Sequence, residues 1–324
     1  MFIIYKMLRT NILLSETNIW KEFFLFQEKF NKNYDEDSVI TRFEIFRENF
    51  INIYSHNHNP IQQNFTLGIT QFSDLTQEEF KNTYLGFKYN GLTKTTCSTF
   101  VPTSKSVPTS VDWRTQNAVT PVKDQGQCGS CWSFSATGAI EGAWAIAKKQ
   151  LNSLSEQQLV DCSHKYGNLG CNGGLMDSAF QYTIDYGGLC EEKAYPYTAT
   201  GGTCQPACRI VSYISKCADV EPNNQVSLKE AVSNGPVSIA IEADTAIFQS
   251  YSSGVITSKS CGTSLDHGVL IVGYGIQDNI KYWLVKNSWG PNWGDGGYVK
   301  IERSDSVNDP GICGIAMEPS FPIV

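Results

Sequence analysis

The sequence lacks several features that would place it in common classes of protein. It has no run of about 18–20 apolar residues, the length that a membrane-spanning helix needs. The 324-residue chain carries a net charge of −7, so it lacks the basic character that nucleic-acid-binding proteins usually show. No internal repeat or low-complexity tract is visible. We therefore expect a globular protein of two or three compact units that binds neither nucleic acid nor a membrane.

Cysteine is absent from the first 96 residues, yet eleven cysteines follow from Cys97 onward. A cytosolic protein rarely carries so many without a metal or redox role, so we expect disulfide bonds and an oxidising compartment. Because eleven is odd, at least one thiol is unpaired and needs an explanation. The N-terminus is a poor secretory signal, since Lys6 and Arg9 interrupt its short apolar runs. We interpret residues 1–15 as a weak or truncated signal peptide.

The pattern of apolar residues divides the chain into an N-terminal helical region and a later mixed region. Aromatic residues at helical spacing predict one helix around Trp20 and Phe30 and a second over about 38–57. Residues 91–106 are rich in Thr, Ser, Pro and Lys, which predicts an exposed linker. We therefore predict a helical domain over residues 16–90 and a larger domain over residues 107–324.

Within the larger domain, helices are expected first and strands later. A buried helix is predicted from about Ser130 to Lys149, and another over 175–186. Ser155 with Gln158, and Ser227 with Glu230, form capping patterns for two more helices. Runs rich in β-branched and aromatic residues predict strands: Val237–Ala243, Gly268–Tyr274, Lys281–Lys286 and Tyr298–Glu302. This order predicts an α+β fold in two halves.

Cys131 has the surroundings expected of a nucleophile. A free thiol has a pKa of about 8.5, and the thiolate is the form that attacks. Cys131 would lie at the N-terminal end of the buried helix, where the helix dipole favours an anion. The general base must then be one of the two histidines after the linker, His164 and His267. We expect His164 to be a solvated surface side chain and His267, at the head of an apolar strand, to be the base.

The segment Gln125–Phe134 resembles the active-site segment of papain-family, cathepsin L-like cysteine proteases. In that family a histidine and an asparagine follow the cysteine after about 130–150 residues. Here His267 follows by 136 residues and Asn287 by 156. The resemblance implies a papain-like two-lobed fold, with a helical left lobe and an antiparallel β-barrel right lobe, preceded by a helical propeptide. It implies a thiol endopeptidase that needs no cofactor and no metal.

The resemblance also assigns roles to the neighbours of the catalytic pair. Asn287 would hold the imidazole in orientation, and Trp289 would shield that hydrogen bond. The side chain of Gln125, with the backbone N–H of Cys131, would bind the oxyanion. Without the resemblance, Asn287 and Ser288 after a strand would be interpreted as a turn.

A substrate-binding region follows from the same resemblance. Gly173 and Gly174 would pair with an extended substrate, because glycine allows close approach of another backbone. Asp266 and Trp289 belong to the same binding region. The main specificity pocket would be apolar and lined by Leu175, Met176, Ala240 and Leu265. Glu318 stands at its expected floor, which predicts acceptance of large hydrophobic residues and also of Arg; in the alternative, Glu318 turns to solvent.

The resemblance implies a disulfide framework that leaves Cys131 free. The implied pairs are Cys128 with Cys171, Cys162 with Cys204, and Cys261 with Cys313. Cys190 and Cys208 are additional to the minimal family pattern, and we expect them to pair with each other. No partner is assigned to Cys97 or Cys217.

The N-terminal region resembles an inhibitory propeptide. The spaced residues Arg42, Ile45, Phe46, Asn49, Ile53 and Asn57 match the helix motif of cathepsin L-like propeptides, with Ser38 in place of its first glutamate. Gly68–Asp74 matches a second propeptide motif, and Val107–Arg114 resembles a mature N-terminus. We therefore expect a zymogen that is cut near 106/107 and a monomer in the lysosome or secreted. Its expected partners are peptide substrates, its own propeptide and cystatin-like inhibitors.

Three alternatives stay open on the sequence. Cys128-Gly-Ser-Cys131 is a C-x-x-C motif, which also occurs in disulfide oxidoreductases. That interpretation leaves Gln125, His267 and Asn287 unexplained. A catalytically inactive binding homologue would usually lack the nucleophile or the base, and both are present. Zinc binding is the weakest alternative, because a second C-x-x-C or a histidine pair is missing.

Overall fold

The computed structural model describes residues 14–61, 64–88, 97–103, 106–205, 208–257 and 261–324; the expected signal peptide lies almost wholly outside them. The α-helices are α1 Glu16–Phe30, α2 Val39–Asn57, α3 Gln77–Tyr84, α4 Cys131–Lys148, α5 Glu156–Cys162, α6 Met176–Tyr186, α7 Gln225–Asn234 and α8 Ala246–Gln249. The strands are β1 Phe65–Leu67, β2 Ser98–Thr99, β3 Val111–Asp112, β4 Leu189–Cys190, β5 Ile210–Ser212, β6 Lys216–Asp219, β7 Val237–Ile241, β8 Tyr251–Ile256, β9 His267–Gln277, β10 Ile280–Lys286, β11 Tyr298–Glu302 and β12 Ser320–Ile323. None of the helices in these ranges is long and apolar enough to cross a membrane.

The N-terminal region is built on the predicted pair of helices, α1 and α2. Their apolar stripes meet in an aromatic core in which Phe23, Phe43 and Phe46 are almost fully buried. Burying each such side chain contributes roughly 1.5–3 kcal/mol. The two propeptide-like motifs contact each other through Arg42 of α2, whose guanidinium donates to the Asp74 carbonyl at 3.0 Å. The same guanidinium donates to both carboxylate oxygens of Glu79 on α3 at 2.9 Å. The two motifs therefore form one folded unit.

The larger domain has its helices first and its main sheet later, as predicted. The buried helix α4 packs on β9, and hydrogen bonds fix the two elements together: the Ser135 hydroxyl donates to the carbonyl of Val269 at 2.7 Å. The Ser238 hydroxyl on β7 donates to the carbonyl of Ser135 at 2.9 Å. Since Cys131 begins α4 and His267 begins β9, this contact places the two residues on facing elements.

The main sheet has the strand order β1-β8-β11-β10-β9-β7-β12-β6-β2, and β3 also pairs with β9. Its pairs are antiparallel except β8 with β11 and β2 with β6, which are parallel. Both end strands, β1 and β2, precede residue 107. The region upstream of the larger domain therefore supplies the strand at each end of its sheet.

One predicted helix start and one predicted capping box need correction. Helix α7 begins at Gln225, two residues before Ser227, because the side chain of Asn224 accepts a hydrogen bond from the Ser227 amide at 3.0 Å and is the true N-cap. At α5, Ser155 accepts from the Gln158 amide as expected. The Gln158 side chain instead accepts from the Cys190 amide at 2.8 Å, so half of that capping box is formed.

Candidate active site

Cys131 is a buried thiol at the first residue of α4. All eleven cysteines lie within the described residues, and Cys131 alone is unpaired. A disulfide joins Cys128, three residues earlier, to Cys171. The Gly129 amide donates to the carbonyl of Cys171 at 3.0 Å, which fixes the loop before the helix. The Gly268 amide donates to the Cys131 Sγ at 3.3 Å, so the sulfur lies beside the start of β9.

His267 is held by Asn287 and covered by Trp289. Its Nε2 lies 2.8 Å from the Oδ1 of Asn287. The Ser288 amide donates to the same Oδ1 at 2.8 Å, which marks that atom as the oxygen. Because an amide oxygen only accepts, Nε2 carries the proton, and Nδ1 of the neutral ring is left as the acceptor. The Trp289 indole stacks on the imidazole with ring centroids 4.5 Å apart and keeps water from the pair.

Gln125 is fully buried, and its amide is fixed from two sides. Its Oε1 accepts from the Ser288 hydroxyl at 2.7 Å, and its Nε2 donates to the Cys128 carbonyl at 2.8 Å. The same Nε2 donates to the backbone carbonyl of Tyr84, also at 2.8 Å. A carbonyl of the N-terminal region thus occupies the position where the Gln125 amide can donate to a substrate oxygen.

The chain after α3 runs through the cleft beside Cys131. The Gly174 amide donates to the Gly86 carbonyl, and the Phe87 amide donates to the Asp266 carbonyl, both at 2.9 Å. Phe87 and Gly174 form a parallel β-bridge. The approach is so close that a Cβ on Gly86 would overlap the backbone of Gly129. The N-terminal region therefore covers the cleft with a segment that imitates an extended peptide.

Burial shifts the pKa values of both Cys131 and His267. Burial raises the pKa of the Cys131 thiol to about 11, against a smaller lowering by the Gly268 and Gly86 amides. Burial lowers the pKa of His267 to about 4, although its bond to Asn287 opposes this. Both shifts favour the uncharged thiol and imidazole over the ion pair that attacks. In this covered state the site is therefore kept in its less reactive form.

A cavity of about 490 Å³ adjoins the covered cleft. Leu175, Met176, Phe87 and Glu318 line it, so the Phe87 side chain stands where the expected specificity pocket lies. Glu318 is half-buried and not turned fully to solvent. Burial raises the pKa of Glu318 to about 7, and the charges of Asp177 and Asp219 add to the rise.

Three predicted substrate-binding residues do not line this pocket. Ala240 is fully buried in the same core cluster as Met176 and does not line the cavity. Leu265 and Asp266 line a second depression on the other side of Phe87. The Asp266 carboxylate accepts from the Ala243 amide at 2.8 Å, and burial raises its pKa to about 7. Only its backbone carbonyl meets the covering segment.

Five disulfides join ten cysteines. Three are the pairs that the resemblance implies: Cys128–Cys171, Cys162–Cys204 and Cys261–Cys313. A fourth joins Cys190 to Cys208, the additional pair that we expect beyond the family pattern. The fifth joins Cys97 to Cys217, two cysteines to which neither the sequence nor the resemblance assigns a partner. His164 is exposed, and its Nδ1 lies 3.1 Å from the carbonyl of Asn168, away from Cys131.

Three contributors to the site are not evident from local sequence patterns. The covering segment Tyr84–Phe87 carried a usable signal, since a glycine between Leu85 and Phe87 just after a helix permits close backbone approach. Ser288, which orients Gln125, looked like part of a turn. The Cys97–Cys217 pair gave no signal in the sequence, because pairing depends on distances in the fold.

A thiol site that is fully assembled but covered by an upstream segment defines the proenzyme of a cysteine protease. Known sequences identify the family. Residues 107–323 match the model of the papain family cysteine proteases, and residues 23–80 match the cathepsin propeptide inhibitor domain (I29). The chain belongs to the papain family of cysteine proteases, which act on peptide substrates, and it is a zymogen that carries its own inhibitor domain.

Relatives and solved structures agree with this assignment. The chain is 47% identical over 292 residues to the germination-specific cysteine protease 1 of Arabidopsis thaliana, covering 87% of this chain and 77% of the relative. It is 48% identical over 295 residues to vignain of Ricinus communis, covering 87% and 79%. The proform of the ragweed pollen allergen Amb a 11 superposes with a TM-score of 0.87 at 39% identity, covering 96% of each chain.

A digestive procathepsin L 3 of Tenebrio molitor superposes with a TM-score of 0.86 at 41% identity, covering 94% of this chain and 99% of that one. The predicted papain-like fold with a helical propeptide is thereby confirmed. The prediction of a cysteine protease made as a zymogen is confirmed as well. The oxidoreductase alternative is unnecessary, because Cys128 of the C-x-x-C motif is bonded to Cys171 and not to Cys131.

Proposed function

We propose that this protein is an endopeptidase that cleaves peptide bonds through an acyl-enzyme on Cys131. His267 takes the thiol proton, Asn287 orients His267, and Gln125 with the Cys131 N–H binds the oxyanion. The observation that carries the proposal is the hydrogen bond from Gln125 to the Tyr84 carbonyl at 2.8 Å. A carbonyl of the covering peptide occupies the place where a substrate carbonyl would be polarised.

The reaction follows from these positions. With Nε2 protonated toward Asn287, Nδ1 of His267 accepts the thiol proton, and the Cys131 sulfur attacks the substrate carbonyl carbon. The carbonyl oxygen becomes an anion that the Gln125 amide stabilises. The imidazolium returns its proton to the leaving amine as the C–N bond breaks, which leaves a thioester on Cys131. Water, deprotonated by His267, then hydrolyses the thioester and restores the thiol.

The domain boundaries are part of the proposal. Residues 1–15 form a weak or truncated signal, 16–90 the inhibitory propeptide, 91–106 its linker and 107–324 the peptidase domain, with maturation near 106/107. The enzyme is a monomer of the lysosomal or endolysosomal lumen or is secreted, and cystatin-like proteins inhibit it. Five disulfides support an oxidising compartment on the route there.

For specificity, we propose that the pocket lined by Leu175 and Met176 takes a hydrophobic residue, or Arg, two positions to the acyl side of the scissile bond. Phe87 of the covering segment supports the hydrophobic preference, because its ring is 6% exposed beside these residues. Glu318 supports the Arg preference, because its half-buried carboxylate lines the same cavity. The sequence between Cys131 and His267 carries no insertion that would block one end of the cleft, which favours an endopeptidase.

Active-site labelling tests the catalytic assignment. The zymogen is activated at low pH and treated with an epoxide inhibitor of cysteine proteases, and the labelled peptide is identified by mass spectrometry. Label is expected on Cys131, with loss of all peptidase activity at one equivalent. Cys131→Ala should be inactive and unlabelled, whereas His164→Ala should behave as wild type. Label on another cysteine, or activity in Cys131→Ala, would refute the assignment.

A paired-substrate assay tests the specificity. Glu318→Ala and Glu318→Gln are compared on two peptides that differ only in Phe or Arg at the specificity position. Both variants should lose kcat/KM on the Arg peptide by about tenfold, the value of one partly buried ion pair. The Phe peptide should change less than about twofold. Equal losses on the two peptides would show that Glu318 does not select the residue.

A further inference from the structure

The segment 97–103 is attached to the peptidase domain, although the sequence predicts a linker there. Strand β2 pairs in parallel with β6, with Ser98 opposite Ala218 and Thr99 opposite Asp219. The Cys97–Cys217 disulfide closes the start of this pairing across 120 residues of sequence. The Phe100 amide donates to the Asp219 carbonyl at 2.8 Å and continues the ladder.

Two further contacts fix the rest of the segment. The Phe100 ring packs edge-on against Phe321 of β12 with centroids 5.5 Å apart. The amide and hydroxyl of Thr103 both donate to one carboxylate oxygen of Glu230 on α7, at 2.6 and 2.7 Å. The segment is therefore held by a covalent bond, a strand pairing and a side-chain contact, all on the peptidase domain.

We propose that residues 97–103 remain on the active enzyme as a disulfide-linked strand, and that Thr99 is a specificity-determining residue in the wall of the substrate pocket. The selectivity part rests on the proposed function of that pocket. A single cut near 106/107 would leave the whole inhibitory domain tethered through Cys97. Release of that domain therefore also requires a cut upstream of Cys97, which leaves β2 in place.

The surroundings of the disulfide favour its persistence. Cys217 is 3% exposed, so a reductant must approach from the side of Cys97. Carboxylate oxygens of Asp177 and Asp219 lie within 4.8 Å of the Cys97 sulfur. An attacking thiolate is an anion and is repelled by these carboxylates. Two reductant thiols would have to supply two electrons against this repulsion to open the bond.

The retained strand would shape the acidic end of the pocket. Thr99, Asp177, Asp219 and Glu318 all line the same cavity of about 490 Å³. Successive residues of a strand point to opposite faces. Ser98, the neighbour of Thr99, does not line this cavity, and its hydroxyl donates to the Cys217 carbonyl at 3.2 Å. Charge placed at position 99 should therefore act on a bound Arg side chain, and charge at position 98 should not.

Retention of residues 97–103 on the active enzyme is tested by mass spectrometry, without a substrate. The full-length protein is activated at low pH without added reductant, stopped with the epoxide inhibitor and digested under non-reducing conditions. We expect a peptide containing Cys97 disulfide-linked to the peptide containing Cys217, and its loss after treatment with excess dithiol. A matured enzyme in which no Cys97 peptide accompanies Cys217 would overturn the inference. This outcome does not depend on any substrate, so it is decided even if the proposed specificity fails.

The pocket role is tested by Thr99→Lys, with Ser98→Lys as the matched control, on the paired Phe and Arg peptides. Thr99→Lys should raise KM for the Arg peptide by about tenfold, from repulsion between like charges across the partly screened cavity, and change kcat little. Ser98→Lys should leave the Arg-to-Phe ratio unchanged. In a Cys97→Ser/Cys217→Ser background the effect of Thr99→Lys should vanish, because β2 is then released with the rest of the propeptide. Equal effects of the two lysine variants, or none from Thr99→Lys, would refute the role.

Discussion

Gly86→Ala is expected to open the zymogen without harming the mature enzyme. Gly86 lies in the covering segment where its backbone meets that of Gly129. An added Cβ would lie 2.7 Å from the Gly129 Cα and overlap the Gly129 carbonyl. Side-chain rearrangement cannot relieve a clash with backbone atoms, so the covering segment must move out of the cleft.

The cost of that movement can be worked from the contacts that are lost. Two backbone hydrogen bonds break, from Gly174 to Gly86 and from Phe87 to Asp266, each contributing about 0.5–1.5 kcal/mol. The Phe87 ring, now 6% exposed, returns to water at about 1.5–3 kcal/mol. The sum of about 2.5–6 kcal/mol corresponds to about 10²–10⁴-fold weaker occupation of the cleft.

The assay is the rate at which a small alkylating reagent modifies Cys131 in the intact zymogen near neutral pH, with chain integrity followed by gel. Gly86→Ala should be modified about 10²-fold faster than wild type, since the covered thiol becomes accessible. Gly68→Ala is the matched control, because its Cβ would meet only the Ser252 side chain at 3.2–3.3 Å. If Gly86→Ala reacts as slowly as the control, Tyr84–Phe87 does not hold the cleft closed.

Three other predictions concern catalysis and pH. Gln125→Ala should lower kcat by about 10²–10³-fold with little change in KM, measured on the activated enzyme, as for loss of one oxyanion donor; a parallel loss in KM would contradict that role. The ratio of kcat/KM for the Arg peptide to that for the Phe peptide should rise as pH rises through about 7. The reason is that burial raises the pKa of Glu318 to about 7, so the carboxylate becomes mainly charged above that pH. A ratio that stays flat from about pH 5.5 to 8.5 would contradict this role of Glu318. The hydrogen bond from Arg42 lowers the pKa of Glu79 below its ordinary value of 4.5. The Arg42–Glu79 pair therefore stabilises the folded propeptide above pH 4.5, and this stabilisation is lost as pH falls through the lowered pKa. Glu79→Gln should therefore speed processing at about pH 6 by roughly two- to fivefold and have little effect at about pH 3.5, followed by gel; an equal effect at both values would contradict the acid mechanism.

Local patterns predicted the parts of the site that local sequence determines. Cys131 was identifiable because its segment combines a helix start with the sequence of a family active site. The stripe of Phe43 and Phe46 predicted α2 to within one residue. The α7 start was placed late, because Ser227 with Glu230 imitates a capping box while Asn224, three residues earlier, makes the actual cap.

Features that depend on distances in the folded chain could not be predicted from the sequence. Cys97 and Cys217 are 120 residues apart, and their pairing depends on β2 lying beside β6. Phe87 could not be assigned to the pocket, because nothing in the sequence fixes the path of the chain after α3. The resemblance places Ala240 in the pocket wall, whereas in the structure it is fully buried and does not line the cavity.

The strand β1 at the other end of the sheet has a consequence for folding and storage. It pairs antiparallel with β8 through Phe65, Thr66 and Leu67. When the propeptide leaves, β8 becomes a free edge with unpaired backbone donors and acceptors, a template for edge-to-edge aggregation. The far edge stays covered if β2 is retained. The propeptide would then protect the β8 edge against self-association during folding and transit. The mature enzyme, which has lost β1, should be the more aggregation-prone form.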